Sequence, residues 1–567
     1  MGKPPRFPIG IDDFRKLREA GLAYVDKTRL ICDLLDRPGT KVVLLPRPRR
    51  FGKSLNLSML RCWFEHRDED LSRLFEGLSV WSAGAEYRAH FQKYPVIHLS
   101  FKGVRQDSFD ACWAGIQHKI SDLYDRHRSV LDSPRLSPLR AERFRAVLEG
   151  KADRALYDRA LYDLSACLHD ATGQQVIILI DEYDEPLHTA TLRGFARPML
   201  DFFRVFLSEG LKDNPHLSRA VLTGILRIAR ESIFCGPNNL AVYSLLRQDF
   251  STAFGFTEAE VAALVAEAGR ETDMETLRLW YNGYDFGGAV IYNPWSVLNF
   301  LADPTGDFAP HWRSTSSNEL IRKALTARAS LVRPAFEALL TGGSIERILD
   351  ENVILDRVES DEDALWSLLV FAGYLRAEKL PVVPGEQPVH KLSIPNREVR
   401  LVYTSTFRDW LRACLTERGG TVERLVNALL EGDADALEEQ LQTIADTLLS
   451  YHDPVGPEQL YHGLLLGLLA TMEPAYRVRS NRESGKGRPD VMVIPRERGR
   501  PGAVLELKVA RRGRRTPEQA LEEGIRQIID RSYQDEIEQA GAEPVHAFAV
   551  AFDGRRVWVR SAPPTPS

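Results

Sequence analysis

The chain has 567 residues, of which 44% are hydrophobic and 27% charged, and its net charge is −5; this balance argues against a polycation that coats nucleic acid. Single cores stop growing near about 250–300 residues, so we expect more than one domain. No run approaches the roughly 20 apolar residues of a membrane helix, and the N-terminus lacks the apolar segment of a secretion signal. The six cysteines are scattered without a CxxC pair, which disfavours zinc or disulfides and favours a reducing cytoplasm.

The first informative segment reads as a strand, a loop and a helix. An apolar run at 41–45 leads into a loop that ends in Gly52-Lys53-Ser54 and continues as LNLSMLRCWF. In a P-loop, backbone N–H groups and the helix N-terminus hold phosphates, the lysine reaches the terminal phosphates and the serine hydroxyl binds Mg²⁺. Arg47 stands where the GxxxxGK[ST] pattern has its first glycine, so the motif alone is a weak signal.

A second segment supplies the acids that a P-loop needs. The apolar run at 175–180 ends in Asp181 and Glu182; Asp181 would orient the Mg²⁺ water shell and Glu182 would polarise the attacking water. Two more apolar runs, at 94–101 and 218–225, are typical of strands buried on both faces of a parallel sheet.

The segment after the last of these strands contains a candidate catalytic arginine. Thr223 lies near the tip of the strand, where a polar residue can sense the terminal phosphate, and Arg230 would stabilise the charge of the transition state. The alternative is that Arg227 and Arg230 cap the strand and pair with surface acids.

Several motifs together resemble the bacterial AAA-ATPase-like family over roughly residues 5–300: YVDKT (24–28), RPRRFGKS (47–54), IDEYDEP (180–186), LTGILRIARESIF (222–234), and YNGYDF with YNPWSV (281–286, 292–297). The resemblance implies that the arginine-rich loop is this family's usual phosphate site, and that Asp26 and Lys27 belong to its neighbourhood. ATP would then be bound by Arg49, Arg50, Phe51, Gly52, Lys53, Ser54 and Asp181, with Mg²⁺ at Ser54 and Asp181.

The middle of the chain is mostly helical in period. We expect a helical lid at 250–310, followed by winged-helix-like helices with a short strand pair near 376–394. The lid's tryptophans and tyrosines are interpreted as core packing rather than as a base-stacking surface. The predicted domains are 1–249 (P-loop), 250–435 (lid and middle region) and 436–567 (C-terminal domain).

The C-terminal domain carries a second set of acids. Asp490 precedes the strand VMVIP, and Glu506 and Lys508 lie two residues apart on the next strand, AVLELKVA. Two carboxylates that hold Mg²⁺, with a lysine that positions the attacking water, form the layout of a metal-dependent phosphodiesterase. Residues 477–515 contain thirteen Lys and Arg against four acids, a local +9 that favours a phosphate-backbone footprint.

This domain resembles the PD-(D/E)XK nucleases. Its predicted order is a helix at 458–475, the two strands, a helix from 516 to about 540 and a hairpin at 545–559, which matches their α-β-β-α-β core. The resemblance implies a third carboxylate at Glu483 and a catalytic Gln527 that contacts the attacking water or the phosphate, and Tyr533 matches the family's extra tyrosine position. The alternative is that Glu506 and Lys508 form an ion pair on an exposed sheet face.

The sequence therefore predicts an α/β protein that binds and hydrolyses ATP and cleaves nucleic acid with Mg²⁺. We expect DNA as the substrate, a bacterial cytoplasmic location and, by family analogy only, a role in defence against phage or mobile elements. Whether the chain forms a homo-oligomer stays open. The rival hypothesis is a nucleotide-switched binding or scaffold protein with a slow ATPase and an inactive nuclease fold.

Overall fold

The structure is a computed structural model that describes most of the chain, in two compact units. The described residues are 6–227, 240–312, 335–352 without 337 and 340–341, 361–403 without 382–384 and 386, 422–448, 465, 468–469, 472, 475–480, 489–510, 515–553 without 532, and 556–563. The first unit comprises 1–324 and 344–400, and the second comprises 325–343 and 401–567. The predicted domain limits at 249 and 435 remain predictions. None of the helices among the described residues combines the length and the apolar character that a membrane crossing requires.

A five-stranded parallel sheet forms the centre of the first unit. Its strands are β1 (Val42–Pro46), β2 (Val96–Ser100), β3 (Val176–Asp181), β4 (Leu217–Gly224) and β5 (Leu240–Val242), in the spatial order β2-β3-β4-β1-β5. Every residue of β1 and β3 is buried, as their continuous apolar runs predicted. Because the strands are parallel, their carboxyl ends meet at one edge of the sheet.

Helices flank this sheet. They are α1 (Phe14–Glu19), α2 (Arg29–Leu35), α3 (Lys53–Phe64), α4 (Ser79–Ala83), α5 (Ala85–Arg88), α6 (Phe109–Arg126), α7 (Pro138–Leu148), α8 (Arg154–Asp158), α9 (Ala160–Thr172), α10 (Glu185–Arg193) and α11 (Ala196–Leu211). Their starts follow local rules: the side chains of Ser108, Ser137 and Asp153 accept a backbone N–H in the first turn of α6, α7 and α8.

The lid contains a small sheet as well as the expected helices. Strands β6 (Phe256–Thr257), β7 (Tyr284–Phe286) and β8 (Ala289–Tyr292) pair in the order β6-β8-β7, beside α12 (Glu258–Glu267), α13 (Met274–Tyr281) and α14 (Pro294–Ala302). Thr257 and Glu260 form a capping box at the start of α12. Tyr281, Tyr284 and Tyr292 are at most 2% exposed, so these tyrosines are core residues, as predicted.

The middle region after the lid contains a three-stranded antiparallel sheet. The predicted strand pair is present as β10 (Arg376–Lys379) and β11 (Val389–Ser393), and β9 (Ile345–Ile348) pairs with β11. The sequence analysis missed β9 because this strand has only four residues, in which apolar and charged side chains alternate. The helix α15 (Glu362–Phe371) is almost completely buried.

The second unit is a mixed sheet covered by helices on both faces. Its strands are β12 (Tyr476–Ser480), β13 (Val491–Pro495), β14 (Gly502–Val509), β15 (Val545–Asp553) and β16 (Arg556–Ser561), adjacent in that order, and only β14 and β15 pair in parallel. One face packs against α16 (Val422–Glu431) and α17 (Ala434–Leu448), and the other against α18 (Pro517–Asp530) and α19 (Tyr533–Gln539). The α/β fold class is therefore confirmed.

One expectation for the second unit was wrong, and one strand was missed. The helix expected from 516 to about 540 is two helices, α18 and α19, and the break lets Tyr533 and Ile537 pack against Val504 of the sheet. The edge strand β12 was not predicted, because its alternating Tyr-Arg-Val-Arg pattern is short. Most of the predicted helix at 458–475 lies outside the described residues.

Arg47, the residue that replaces the P-loop glycine, is part of the protein core. Its guanidinium donates to the backbone carbonyls of Pro46 (2.8 Å), Tyr243 (2.8 Å) and Phe250 (3.1 Å), and the side chain is fully buried. A buried cation is tolerated when its hydrogen bonds are made. Arg47 thus joins the P-loop to the segment that enters the lid. Its guanidinium binds backbone carbonyls inside the protein.

We predict that Arg47→Met lowers the free energy of unfolding by about 2–4 kcal/mol, because it removes three hydrogen bonds from a buried guanidinium to backbone carbonyls. Urea unfolding followed by circular dichroism measures the change. Arg128→Met is the control, since the Arg128 side chain is 66% exposed and should change stability by less than about 0.5 kcal/mol. Equal stability of the two variants would contradict this role for Arg47.

Candidate functional sites

The P-loop opens at the carboxyl end of β1 and leads directly into α3. Gly52 caps the helix with φ +86°, a left-handed conformation that glycine adopts without steric cost. A Cβ atom added at Gly52 would have no heavy atom within 4 Å, so the backbone conformation, and not a crowded neighbour, requires the glycine. The first N–H groups of α3 have no partners within the helix and are suited to hold phosphate.

The ends of three strands place the candidate Mg²⁺-binding groups together. The Ser54 hydroxyl donates to Asp181 Oδ2 (2.5 Å), and the Thr223 hydroxyl donates to Asp181 Oδ1 (2.7 Å). Asp181 is 3% exposed. Ser54, Asp181 and Thr223 thus form one connected group, and a serine hydroxyl beside a carboxylate is the donor set that a nucleotide-bound Mg²⁺ uses.

Glu182 lies next to this group in an unusual backbone conformation. Its φ is +49°, which a non-glycine residue rarely adopts and which is often found at functional sites. Its Oε1 is 3.5 Å from Lys53 Nζ. Burial raises the pKa of Glu182, while the ammonium of Lys53 acts in the opposite direction. A carboxylate held here could polarise a water molecule.

A cavity of about 500 Å³ lies in front of these residues, a volume typical of small-molecule sites. Its polar part is lined by Arg49, Arg50, Gly52, Lys53, Ser54 and Glu182, and its apolar part by Val25, Phe256, Leu264, Pro294 and Leu298. The cavity therefore offers a charged end for phosphates and an apolar end for a base.

The remaining predicted nucleotide residues have different environments. Arg50 stacks on Trp295 at 4.4 Å and donates to the His311 carbonyl at 2.7 Å. The ring of Phe51 is 1% exposed and packs against Tyr284, so Phe51 would bind a nucleotide chiefly through its backbone. Arg230 lies outside the described residues.

Asp26 and Lys27 of the YVDKT motif make different contacts. Lys27 lines the cavity and donates to both carboxylate oxygens of Glu260 on α12, at 2.8 Å each. Asp26 accepts hydrogen bonds from Thr28 and Ser79. Lys27 therefore connects the P-loop unit to the lid, and Asp26 fixes the segment that carries Lys27.

The sequence analysis missed Asp184. Its Oδ2 accepts the backbone N–H groups of Ile225 (2.8 Å) and Leu226 (2.9 Å), and His188 Nε2 is 3.3 Å away. Burial alone would raise the pKa of Asp184, but the neighbouring His188 ring and the hydrogen bonds from the backbone lower it. Asp184 holds the turn after β4, just before the segment with Arg230. Asp184 is the third acid of the IDEYDEP motif, and this position could have indicated its role.

A second group of functional side chains lies in the second unit, at the adjoining ends of β13 and β14. Asp490 immediately precedes β13, and its Oδ2 accepts the backbone N–H of Leu507 (2.8 Å). Lys508 Nζ donates to Glu506 Oε1 (2.6 Å) and to Gln527 Oε1 (2.9 Å) on α18. Gln527 Nε2 in turn donates to the Tyr533 hydroxyl (3.2 Å). The fold thus brings five predicted residues together, and Glu483 lies outside the described residues.

Comparisons with known proteins agree with both family resemblances. Residues 8–234 match a family described as predicted AAA-ATPase, and residues 456–562 match the PD-(D/E)XK nuclease superfamily. The chain joins an AAA-ATPase-like domain to a PD-(D/E)XK nuclease-superfamily domain. An Azotobacter chroococcum mcd 1 protein described as an uncharacterized protein in the vnfD 5' region is 29% identical, over 97% of this chain and 98% of the relative. The resemblances drawn from the sequence motifs are thereby confirmed.

The acids of the nuclease-superfamily domain are suited to a divalent cation. Glu506 is 2% exposed, and its Oε2 has no hydrogen-bond partner among the described residues. Burial, with a further contribution from Asp490, raises the pKa of Glu506 to about 7. A buried oxygen without a donor, next to a second carboxylate, is a position that a cation would stabilise. Within the described ranges, which do not include Glu483, no cluster of three or more His, Cys, Asp and Glu forms a metal site.

The alternative of an exposed Glu506–Lys508 ion pair is wrong. The side chains of Glu506 and Lys508 are only 2% and 13% exposed, and both lie beneath α18. Such a pair is costly to bury, and here Gln527 supplies one further hydrogen bond.

The described members of the basic run lie on different sides of this domain; the members at 481–488 and 511–514 lie outside the described residues. On β12, Arg479 is paired with Met492 and Arg477 with Ile494, so both exposed arginines lie on the sheet face that α18 and α19 cover, together with Glu506. Arg498 is exposed on the turn between β13 and β14, at the end of the sheet opposite Asp490. Of the described basic residues, Arg477 and Arg479 thus share the sheet face of the candidate metal site, and Arg498 does not.

We predict that Mg²⁺ binding to the nuclease-superfamily domain weakens as the pH falls through 7, because protons compete for Glu506. Its folded pKa of about 7 exceeds its ordinary value of 4.5, so the carboxylate becomes fully available only above pH 7, and the cost of ionising it without metal is greatest there. Calorimetric titration without nucleotide should give about tenfold weaker binding at pH 6 than at pH 8.

Glu506→Gln is the matched control, since it keeps the shape of the side chain and removes the titrating group. The variant should bind Mg²⁺ weakly at both pH values. Wild-type affinity that does not change between pH 6 and pH 8 would contradict a metal at Glu506.

Proposed function

We propose that the protein binds and hydrolyses ATP in its AAA-ATPase-like domain and uses this reaction to control Mg²⁺-dependent cleavage of nucleic acid, with DNA as the substrate. The observation that carries the nuclease assignment is the buried Oε2 of Glu506 beside Asp490, which has no hydrogen-bond partner within the described part of the chain, in a domain of the nuclease superfamily. We further propose a bacterial cytoplasmic protein whose cleavage serves defence against foreign DNA.

In this proposal the nuclease residues have defined tasks. Asp490 and Glu506 would hold Mg²⁺, with Glu483 as a third carboxylate, and Mg²⁺ would polarise the phosphate and promote ionisation of the attacking water. Lys508 would orient that water or the phosphate while Gln527 keeps its ammonium in place. The hydrogen bond between Gln527 and Tyr533 fixes the amide and thereby the lysine.

The nucleotide residues act similarly through position and charge. Lys53 would bind the terminal phosphates, with Arg49, Arg50 and the backbone of Phe51 and Gly52 around them. Ser54 and Asp181 would hold Mg²⁺, and Glu182 would orient the attacking water once a phosphate has drawn Lys53 away from it. Arg230 would stabilise the transition state.

One observation favours the rival function, a nucleotide-switched binding protein without cleavage. The Lys508 ammonium is held by both Glu506 and Gln527, an arrangement that could also serve to grip a phosphate. Cleavage assays distinguish the two functions.

We predict that the purified full chain cleaves plasmid, linear or single-stranded DNA with Mg²⁺ and ATP. Asp490→Ala should reduce the rate by roughly 100-fold or more, because charge stabilisation of several kcal/mol is lost, and Lys508→Ala should reduce it strongly. Asp530→Ala, an exposed acid at the end of α18, should cleave normally. Cleavage that survives Asp490→Ala would rule out this nuclease site.

Lys53→Ala tests the control by ATP in the same assay. The variant should lose ATP binding and also the dependence of cleavage on ATP. If nucleotide binding is lost but cleavage is unchanged, the two domains act independently and the proposed coupling fails.

The split of the basic run gives a further prediction for DNA binding. Arg479→Ala should weaken binding and reduce the slope of log affinity against log salt by about 1, because one phosphate contact is lost. Arg498→Ala should leave both quantities nearly unchanged, since Arg498 lies at the opposite end of the sheet. Fluorescence anisotropy at several salt concentrations, with Ca²⁺ replacing Mg²⁺, measures both. Equal effects of the two substitutions would contradict this footprint.

A further inference from the structure

The loop after β2 brings two basic residues to the candidate ATP site that the P-loop motif does not include. Strand β2 is the neighbour of β3, with Ser100 opposite Asp181. The backbone N–H of Phe101 donates to the Asp181 carbonyl (3.1 Å), and the loop turns back with a bond from Val104 N–H to the Phe101 carbonyl (3.1 Å). The loop therefore starts directly beside the acids of β3.

Lys102 and Arg105 project from this loop into the cavity that also contains Lys53 and Glu182. They line the cavity on the β2 side of the sheet, whereas the P-loop approaches from β1. Because β3 and β4 separate these two strands, a phosphate that lies over Asp181 would have basic groups on both sides.

Arg105 is held in place by a buried acid. Glu185, at the start of α10, is 4% exposed, and its Oε1 accepts both the Gly103 backbone N–H (2.8 Å) and Arg105 Nε. This anchor uses the Nε edge of the guanidinium, whose Nη atoms carry further donors. The hydrogen bond to Glu185 raises the pKa of Arg105, and Glu182 adds to the shift, so the residue stays charged near the candidate water-orienting acid.

Lys102 has a weaker partner. Its Nζ is 2.9 Å from Asp12 Oδ2, and the two side chains are 62% and 56% exposed. Exposed pairs of this kind contribute little to stability, so a phosphate could replace Asp12 at small cost. Lys102 is thus held by an exposed acid and Arg105 by a buried one.

The charge of the cavity is consistent with a polyanionic ligand. Among the described residues, six basic and three acidic side chains line it. The P-loop supplies Arg49, Arg50 and Lys53, the YVDKT motif supplies Lys27, and the β2 loop supplies the other two. Lys27 is paired with Glu260, Lys102 with Asp12 and Arg105 with Glu185, yet the cations that line the cavity outnumber the acids by three.

We propose that Lys102 and Arg105 bind the terminal phosphate of ATP from the side opposite Lys53 and so let the site distinguish a triphosphate from a diphosphate. This inference rests on the proposed ATP site. The β2 loop would contact the terminal phosphate because the loop lies beside Glu182, where the attacking water would be activated.

The test compares the affinities for ATP and ADP in full-length variants, measured by calorimetry with Mg²⁺. Lys102→Ala and Arg105→Ala should each weaken ATP binding by about tenfold or more, since a charge-assisted hydrogen bond is lost. ADP binding should change by less than about threefold. Arg105→Lys keeps the charge without the planar donors and should give an intermediate ATP affinity.

The controls are matched in exposure and outside the cavity. Lys151, paired with Glu149, is 75% exposed, and Arg204, paired with Asp201, is 44% exposed, close to the 43% of Arg105. Lys151→Ala and Arg204→Ala should leave both affinities unchanged. A thermal melt of each variant identifies any that has lost its fold, and Arg105→Lys then carries the test for that position.

Lys53→Ala separates the two possible failures. If Lys53→Ala binds ATP like the wild type, the proposed nucleotide site itself is wrong. If Lys53→Ala loses ATP while Lys102→Ala and Arg105→Ala bind it normally, only the role of the β2 loop is wrong. Equal losses of ATP and ADP in the β2-loop variants would also overturn the inference, because the loop would then only shape the cavity.

Discussion

The hydrogen bonds of Asp181 hold the candidate nucleotide site together. Its two carboxylate oxygens accept the hydroxyls of Ser54 and Thr223, and its backbone carbonyl accepts the N–H of Phe101. A carboxylate that is 3% exposed is costly to bury unless its hydrogen bonds are made. Satisfying this one acid therefore requires the P-loop, the end of β4 and the β2 loop to meet at one place.

The nuclease-superfamily domain uses the opposite arrangement. Glu506 is equally buried, but its Oε2 has no partner among the described residues, and its pKa is raised to about 7. An incompletely satisfied acid reduces stability and leaves a place for a cation. Asp490 is fixed by the Leu507 backbone N–H, so the two carboxylates are positioned before any metal binds.

The arginine-rich loop divides its basic residues among several tasks. Arg47 donates to backbone carbonyls inside the protein, and Arg50 contacts Trp295 and the His311 carbonyl beside the lid. Lys27 joins the lid through Glu260. The lid is thus attached to the phosphate site by cations from two separate motifs, and a bound nucleotide would compete for some of the same groups.

The two candidate sites could be predicted from the sequence to the extent that they depend on local pattern. Gly52-Lys53-Ser54 at a strand-to-helix turn, Asp181 at the end of an apolar strand and the alternation of Glu506 with Lys508 are all visible in short segments. Hydrophobic periodicity and turn residues act over a few positions. They were therefore enough to predict the strands, the starts of the helices and these site residues. The expected single helix after Thr516 failed because contacts with Val504 determine where Tyr533 lies.

Contacts between distant segments were decided only by the tertiary structure. Three features depend on which strands are neighbours. Arg47 points into the core, Asp184 accepts hydrogen bonds from the turn after β4, and Arg479 lies apart from Arg498. Lys102 and Arg105 reach the phosphate cavity because β2 pairs with β3, about eighty residues further along the chain. Strand order arises from the burial of whole sheet faces, and no local pattern encodes it. The sequence by itself determined which functional groups each segment carries. The packing of the segments decided which of these groups lie next to one another.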